Sequence, residues 1–145
     1  MQRVVIDTNI YIDWLNDGWY EDIIFQREAV KHLSAVVLME LLAGAFSTRD
    51  RRLIRDITLP FAKANRLITP TVSLYEEAGD VLRRLQRVHG YSMPSAYGLV
   101  NDVLIALSAR SIGASVITQH GRDFGAIQSL RPFKLVVKSL TSGEN

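Results

Sequence analysis

Arg3-Val4-Val5-Ile6-Asp7-Thr8-Asn9 is the stretch of sequence that decides the fold of this chain. Three consecutive β-branched residues, Val4 to Ile6, predict a short buried strand. An acid and two small polar residues follow, and the apolar residues after them take up a helical spacing. Asp7 therefore lies where a buried strand ends and a helix begins. That position is the edge of the sheet at which α/β folds place their ligand sites.

The same polar residues are also ordinary chemistry for the start of a helix. Asp7, Thr8 or Asn9 could simply cap the helix that follows them, by accepting hydrogen bonds from its first backbone N–H groups. This stretch alone does not separate a cap from a ligand site. The decision depends on where the other acidic residues of the chain lie.

The composition predicts one globular domain. A chain of 145 residues, 48% hydrophobic and 22% charged, can bury about two-thirds of its unfolded surface in a single core. The absence of cysteine excludes disulfides and thiolate metal sites. The remaining ligands are carboxylates and three scattered histidines, which favour Mg²⁺ or Mn²⁺ over zinc. No apolar run is long enough for a signal peptide or a membrane span, so we expect a cytoplasmic protein without a membrane partner.

The charge balance indicates a polyanionic substrate if the acids are drawn together. The formal net charge is +2, from 17 basic and 15 acidic residues. If four acids surrounded a cation, the other 11 would leave the rest of the surface with a charge of +6. A basic body around a metal-neutralised acidic pocket suits a polyanion such as a nucleic acid.

Short apolar strands alternate with helices along the chain. We predict strands at residues 4–6, 31–35, 66–68, 115–118 and 133–137. Helices are predicted at 10–16, 20–30, 36–43, 50–57, 72–89, 99–112 and 123–130, with a break or kink at Pro60 and a Ser73–Glu76 capping box. The pattern predicts a single α/β domain over residues 1–140, with a mainly parallel sheet of about five short strands and helices on both faces. Residues 141–145 are expected to form a flexible tail.

Four acids are predicted to reach one edge of this sheet. All strands of a parallel sheet end at the same edge, and the helices that follow them begin there. Asp7 ends the first strand, and Asp123 follows the fourth. Glu40 lies in the first turns of the helix after the second strand, and Asp102 lies in the first turn of the helix that leads into the fourth. The four carboxylates can therefore meet, although they are spread over most of the sequence.

Each of these acids also has a structural explanation. Glu40 could be a solvated position, Asp102 could offset the dipole of its helix, and Asp123 could cap its helix. Their coincidence at one edge favours a functional site. Crowded carboxylates raise each other's pKa unless a cation lies between them, and Mg²⁺ or Mn²⁺ at such a site serves phosphoryl chemistry.

Four stretches with this order and spacing carry a family resemblance. They are VVIDTN at residues 4–9, LSAVVLMELLAG at 33–44, NDVLIA at 101–106 and VITQHGRDF at 116–124. Together they resemble the PIN domain and, more narrowly, the VapC-type ribonuclease toxins of prokaryotic toxin–antitoxin pairs. The similarity spans almost the entire chain. There is one departure, because His120 stands where the family commonly has asparagine in its last motif.

The resemblance implies a Mg²⁺- or Mn²⁺-dependent endoribonuclease, the toxin component of a type II toxin–antitoxin system. It implies that Asp7, Glu40, Asp102 and Asp123 form the catalytic and metal-binding set. Thr8, Asn9 and Thr118 are expected to support these carboxylates or a bound water. The implied partners are an RNA substrate and a small antitoxin protein that blocks the site. The implied assembly is a homodimer, or a larger assembly with the antitoxin.

Substrate contacts are left open by the sequence. Arg122, beside Asp123, and His120 are the candidates nearest to the acids. Two arginine clusters could bind RNA phosphates or form solvated helix faces, and Asp80 is spaced to pair with Arg84. Three aromatic side chains could stack on bases or belong to the core or an interface. The clusters are Arg49, Arg51, Arg52 and Arg55, then Arg83, Arg84 and Arg87; the aromatic residues are Trp14, Trp19 and Tyr97.

Two other classes of protein are alternatives to the nuclease. The first is a non-catalytic PIN-like module that binds RNA or a protein, although the complete set of acids argues against it. The second is a phosphotransfer protein, which also places aspartate at strand ends. A dehalogenase-type site requires a second aspartate where this chain has Asn9, and the acidic pair and late lysine of a receiver are not evident. The RNA target, the cleavage sequence and the number of metal ions are not encoded in any motif.

Overall fold

Five parallel strands form one sheet in the computed structural model, which describes residues 1–96 and 98–140. The strands are β1 (Gln2–Ile6), β2 (Ala29–Ser34), β3 (Leu67–Ile68), β4 (Ser115–Thr118) and β5 (Lys134–Val137). Their spatial order is β3-β2-β1-β4-β5, and each neighbouring pair is parallel. The predicted α/β class and the predicted parallel sheet of about five short strands are confirmed. The strand order reverses between β1 and β4, which is where open α/β sheets bind ligands.

Seven α-helices connect the strands in the described part of the chain. They are α1 (Thr8–Asp17), α2 (Glu21–Ile24), α3 (Ala35–Ala43), α4 (Thr48–Lys63), α5 (Val72–Val88), α6 (Gly98–Ser111) and α7 (Gly121–Leu130), with a 3₁₀ turn at Met93–Ser95. Right-handed crossovers put the helices between β1 and β3 on one face, and those between β3 and β5 on the other. On the second face α5, α6 and α7 pack against one another.

The centre of the molecule lies where β1, β4 and α6 meet. Val5 of β1 and Val116 of β4 have no solvent exposure. Helix α6 is buried almost all round from Val103 to Ala109, so its apolar residues show little helical periodicity. Such a helix can only sit between the sheet and its neighbouring helices. Its rigid placement matters because it carries one of the four acids.

The predicted helix over residues 20–30 is wrong in its second half. Helix α2 ends at Ile24, and β2 has already begun at Ala29. Val30 pairs with Arg3 of β1, so the sheet recruits a stretch whose spacing also suited a helix. Sheet pairing buries a β-branched residue better than one more turn of an exposed helix would, and the tertiary context therefore decides.

Two predictions about helix termini are also corrected. Pro60 does not end a helix, because α4 continues to Lys63 and its face with Ile54 and Thr58 remains buried. The cost of one missing backbone hydrogen bond is offset by that packing. The N-cap of α5 is Thr71, whose hydroxyl accepts from the backbone N–H of Leu74 at 3.1 Å, rather than a box starting at Ser73.

The predicted flexible tail at residues 141–145 and the aromatic candidate Tyr97 lie outside the described residues. Within the described ranges, no helix combines the length and the apolar character needed to cross a membrane.

Candidate active site

Asp7 is held at the end of β1 by three hydrogen bonds to its carboxylate. Its Oδ1 accepts from the backbone N–H of Thr8 at 2.8 Å, so Asp7 is the N-cap of α1. Its Oδ2 accepts from the Thr118 hydroxyl at 2.7 Å and from Asn9 Nδ2 at 2.9 Å. The side chain is 3% exposed. The capping role and a place at the carboxyl edge of the sheet therefore coexist in one residue.

Hydrogen bonds from residues of α1 and α6 hold the carboxylate of Glu40 at the same edge of the sheet. The Thr8 hydroxyl donates to Oε1 of Glu40 at 2.7 Å, and Asn101 Nδ2 donates to Oε2 at 3.4 Å. These contacts connect three helices that are far apart in sequence. Asn101 belongs to a motif that the sequence singled out, but no role was predicted for it.

Asp102 and Asp123 complete the acidic cluster. Asp102 lies in the second turn of α6 and Asp123 in the first turn of α7. With Glu40 they line a cleft of about 510 Å³, whose other lining residues are Ala96, Gly98, Leu99 and His120. Asp7 lies close enough to interact electrostatically with Glu40 and Asp102. The four predicted acids are thus brought together at one edge of the sheet.

Burial and mutual repulsion raise the pKa values of two of these carboxyl groups. The pKa of Asp102 is raised to about 8, first by burial and then by the charges of Asp7, Asp123 and Glu40. Burial also raises the pKa of Asp7, although hydrogen bonds from Thr118 and Thr8 partly oppose it. The cluster therefore holds more negative charge than its protein surroundings neutralise.

Tyr91 is a site residue that the sequence did not predict. Its hydroxyl donates to Oδ1 of Asp123 at 2.6 Å. Burial, followed by the bond to Asp123, raises the pKa of Tyr91 to about 12, so the phenol stays protonated as a donor. Tyr91 lies in the connection after α5, where neither spacing nor composition distinguishes it from an ordinary loop residue.

Gln119 connects the end of β4, where Thr118 lies, to α1 through hydrogen bonds. Its backbone N–H donates to Asn9 Oδ1 at 3.2 Å, and its Nε2 donates to Asp13 Oδ2 at 2.7 Å. The Tyr20 hydroxyl donates to Gln119 Oε1 at 3.2 Å. This network fixes α1 against the end of β4. It keeps the groups that hold Asp7 in place.

Of the two predicted substrate contacts, His120 lines the cleft, and Arg122 lies close enough to Tyr91 to influence its pKa. Both are exposed. The backbone N–H of His120 donates to Thr118 Oγ1 at 3.0 Å, while its imidazole makes no capping bond to α7. Gly121 between them lies against β5, since a Cβ there would stand 3.1 Å from Val137 Cγ2. The exposure of both side chains leaves them accessible to a ligand.

The donor set suits a hard divalent cation, although it is not preassembled around one point. Among the described residues, no three histidine, aspartate or glutamate side chains form a ready metal-binding group. The cleft nevertheless gathers carboxylate oxygens, which Mg²⁺ and Mn²⁺ prefer, and the raised pKa of Asp102 reports charge that a cation would neutralise.

The predicted arginine pairing and the aromatic candidates differ in the contacts that they make. Asp80 pairs with Arg83 and with Arg131, at 3.0 Å to the latter, so the predicted pairing of Asp80 with Arg84 is replaced. The Trp14 ring packs edge-on against Phe25 with centroids 5.3 Å apart, as expected for an aromatic residue in an apolar cluster. Trp19 is 38% exposed.

Comparison with known proteins gives one family and several similar structures. The model of the PIN domain family matches residues 4–130. VapBC2 from Rickettsia felis, bound to a promoter DNA fragment, is 20% identical with a TM-score of 0.67, over 95% of this chain and 100% of that one. VapBC-1 from nontypeable Haemophilus influenzae is 23% identical with a TM-score of 0.66, over 94% and 98%. FitAcB from Neisseria gonorrhoeae is 19% identical with a TM-score of 0.66, over 92% and 96%. No curated protein matches the sequence significantly.

Proposed function

The chain belongs to the PIN domain family, and from that premise we propose that it is a metal-dependent endoribonuclease. It hydrolyses RNA phosphodiesters at a site formed by Asp7, Glu40, Asp102 and Asp123. The observation that carries the proposal is the gathering of these four acids at one edge of the sheet, with the pKa of Asp102 raised to about 8. Such a concentration of negative charge suits a divalent cation and phosphoryl chemistry.

Asp7, Asp102 and Asp123 would hold Mg²⁺ or Mn²⁺, and Glu40 would complete the set or orient the attacking water. When bound, the ion neutralises phosphate oxygens and makes water more acidic. Attack of the water oxygen on phosphorus would break the P–O3′ bond, so that the water oxygen remains on the 5′-phosphate and the departing 3′ oxygen takes up a proton to become a hydroxyl.

The surrounding side chains have positioning roles in this proposal. Thr118 and Asn9 orient the carboxylate of Asp7, and Thr8 orients that of Glu40. Tyr91 holds Asp123. These contacts fix the directions of the carboxylates before a ligand arrives, and such supporting contacts are worth about 10- to 100-fold in metal affinity or activity. His120 in the cleft and the exposed Arg122 would contact the phosphates that flank the cleaved bond.

We also propose that the chain is the toxin of a type II toxin–antitoxin pair. VapBC-5 from Mycobacterium tuberculosis, at 24% identity and a TM-score of 0.62, is described as a member of the VapBC family of toxin–antitoxin systems. By analogy, residues 1–140 would form the nuclease domain of a cytoplasmic homodimer, with residues 141–145 as a tail. A small antitoxin would cover the cleft. Co-purification with a small protein encoded beside it, with loss of nuclease activity, is the expected result.

Cleavage of a labelled RNA in the presence of Mg²⁺ or Mn²⁺ tests the nuclease. Asp7→Asn should lower the rate by about 10³-fold or more, while the circular dichroism spectrum stays unchanged. Asp56→Asn, at an exposed position on α4, is the matched control and should cleave normally. Full activity of Asp7→Asn at saturating metal would contradict the assignment.

The alternative is a PIN-like module that binds RNA or protein without catalysis. It is favoured by one observation, that the described side chains form no ready metal-binding group. Calorimetric titration with Mn²⁺ separates the two functions. Saturable binding that Asp102→Asn weakens supports the nuclease, and absence of binding by the wild type supports the module.

A further inference from the structure

Three arginines on the solvent face of α4 have no partner within the described residues. Arg49, Arg52 and Arg55 are exposed and take part in none of the ion pairs or hydrogen bonds found there. Arg51 differs from them, because it donates to the backbone carbonyl of Ala45 at 3.1 Å. The buried face of the same helix contains Ile54 and Thr58, so the three free guanidinium groups project away from the core.

The spacing of these arginines produces a row of positive charge. Each follows the previous one by three residues, a rise of about 4.5 Å along the helix axis. One strand of a nucleic acid carries a phosphate about every 3.4 Å of its axis, so long arginine side chains can reach successive phosphates. The segment from residue 49 to residue 55 contains four arginines and one aspartate, a net charge of +3.

An exposed aromatic residue stands directly before this row. Phe46 is 90% exposed, which makes it, with Met1, one of the two most exposed large apolar side chains in the described residues. It lies between α3 and α4, two residues beyond Gly44, which is the C-cap of the helix that carries Glu40. An exposed aromatic ring beside unpaired cations is the combination with which proteins bind single-stranded nucleic acid, by stacking and phosphate contacts.

The start of α4 lies a short distance along the chain from the acidic cleft. Gly44, the C-cap of α3, follows Glu40 by four residues, which is about 6 Å along the helix axis. Ser47, the N-cap of α4, follows Gly44 by three residues. Phe46 and Arg49 are therefore connected to Glu40, which lines the cleft, by only a few residues.

The second arginine cluster of the sequence does not have these properties. Arg83 of α5 is paired with Asp80, and Arg84 is only partly exposed. Arg87 is exposed but isolated at the end of its helix. The structure thus separates two clusters that the sequence left equivalent.

We propose that Phe46, Arg49, Arg52 and Arg55 form a binding surface, the α4 track, for single-stranded RNA that enters the cleft. The proposal rests on the nuclease function above, since it names the surface that guides the substrate of the same site. The arginines bind phosphates of one strand, and Phe46 stacks on an unpaired base. A paired duplex offers no free base face for this contact.

The salt dependence of RNA binding tests the electrostatic half of the proposal. Fluorescence anisotropy of a labelled 12-nucleotide single-stranded RNA is measured in EDTA, which prevents cleavage, at several salt concentrations. The slope of log Kd against log salt should fall by about 2 in Arg49→Ala/Arg52→Ala/Arg55→Ala, because each lost phosphate contact removes about 0.7. The control removes three exposed cations elsewhere, in Arg27→Ala/Arg87→Ala/Lys134→Ala, and should keep the wild-type slope.

Phe46→Ala tests the stacking half. Binding should weaken by about 5- to 150-fold at every salt concentration, with an unchanged slope, because stacking is not electrostatic. Phe46→Tyr should restore binding. All four residues are exposed, so the variants should keep the wild-type Tm, which shows that the loss of binding is not a loss of fold.

The outcomes separate this proposal from the nuclease assignment. Unchanged slope and affinity in the α4 track variants, with normal RNA cleavage, would overturn the track and leave the nuclease intact. Normal cleavage by Asp7→Asn would overturn the four-acid site, while the slopes still decide the track. If the arginine variant bound RNA normally and lost only the protein encoded beside it, the surface would be a protein interface and the proposal wrong. Absence of RNA binding by the wild type in EDTA would overturn the track, while cleavage in the presence of Mn²⁺ still decides the nuclease.

Discussion

The Tyr91 hydroxyl donates a 2.6 Å hydrogen bond to Oδ1 of Asp123, and so joins the connection after α5 to the first turn of α7. Asp123 is the one acid of the cluster whose carboxylate is held by an aromatic hydroxyl among the described contacts. The phenol remains protonated over the whole neutral range, because its pKa is raised to about 12. Tyr91 is therefore a constant donor that orients one carboxylate of the proposed site.

Replacement of Tyr91 by phenylalanine should lower RNA cleavage by about 10- to 100-fold, because Asp123 loses the bond that orients it. The Tm should change little, since the ring and its packing remain. Cleavage rates measured over a range of Mn²⁺ concentrations should show a weaker apparent metal affinity. Wild-type rates at limiting Mn²⁺ would mean that the bond does not position Asp123.

Thr118→Val should lower the free energy of unfolding by about 1–3 kcal/mol at pH 7, because the isosteric valine leaves Asp7 without its hydroxyl donor. The Thr118 bond lowers the pKa of Asp7, so its loss raises that pKa further. A carboxyl group with a raised pKa costs stability as it ionises, so the deficit should grow from pH 4 to pH 8. Denaturant unfolding at both pH values measures it. Thr118→Ser keeps the hydroxyl and should remain near wild type.

Asp102→Asn should stabilise the metal-free protein at pH 8 and leave it unchanged near pH 4. The folded-state pKa of Asp102 is about 8, against an ordinary value of 3.8. The protonated form is favoured in the folded state, so the stability that this group contributes is complete below pH 3.8 and is lost as the pH rises to 8. The asparagine variant does not ionise. Each 1 kcal/mol gained would raise the Tm by roughly 2–4 °C.

Thermal unfolding in EDTA across this pH range tests the Asp102 prediction. Addition of Mn²⁺ at pH 8 should raise the Tm of the wild type more than that of Asp102→Asn, because an ion that binds only the folded state stabilises it. Asp56→Asn is the control for removal of an exposed carboxylate. A wild-type protein whose Tm stayed equal to that of Asp102→Asn at pH 8 without metal would contradict the repulsion inferred for this cluster.

Gly121→Ala should lower RNA cleavage, because its Cβ would stand 3.1 Å from Val137 Cγ2 and either α7 or Val137 must shift by a few tenths of an ångström. Asp123 follows two residues later on α7, so a shift of this helix is expected to move its carboxylate. The double variant Gly121→Ala/Val137→Ala removes the crowding methyl groups and should recover cleavage. Failure of the second substitution to restore activity would show that the close approach does not place Asp123.

Much of the fold was predictable because local patterns and tertiary contacts agree. β1 is a run of β-branched residues, and its partner β4 is another, so both were located from the sequence. The predicted C-terminus of α1 at residues 17–18 agrees with Gly18, which adopts the left-handed conformation at φ +73°. The predictions failed where packing overrode local preference, as in the helix that continues through Pro60.

The residues of the candidate site were likewise predictable only in part. The residue types and their positions after strands pointed to Asp7, Glu40, Asp102 and Asp123 before any contact was known. Tyr91 and Gln119 were not predicted, because a hydrogen bond between distant segments leaves no periodic pattern in the sequence. The two arginine clusters were equivalent in the sequence, and only the contacts and the exposure of their side chains in the structure separated them.

The sequence by itself determined an α/β chain with parallel strands, four acids at the ends of elements and a likeness to one family. Alternating hydrophobic segments and crossover handedness are enough for that, because they depend on local chain properties. Only the tertiary structure decided how Asp7 can cap α1 and also lie beside Asp102 of the cleft, and which donors hold each carboxylate. Those features depend on burial and on contacts between residues more than 100 positions apart, such as Asp7 and Thr118. No local pattern specifies them.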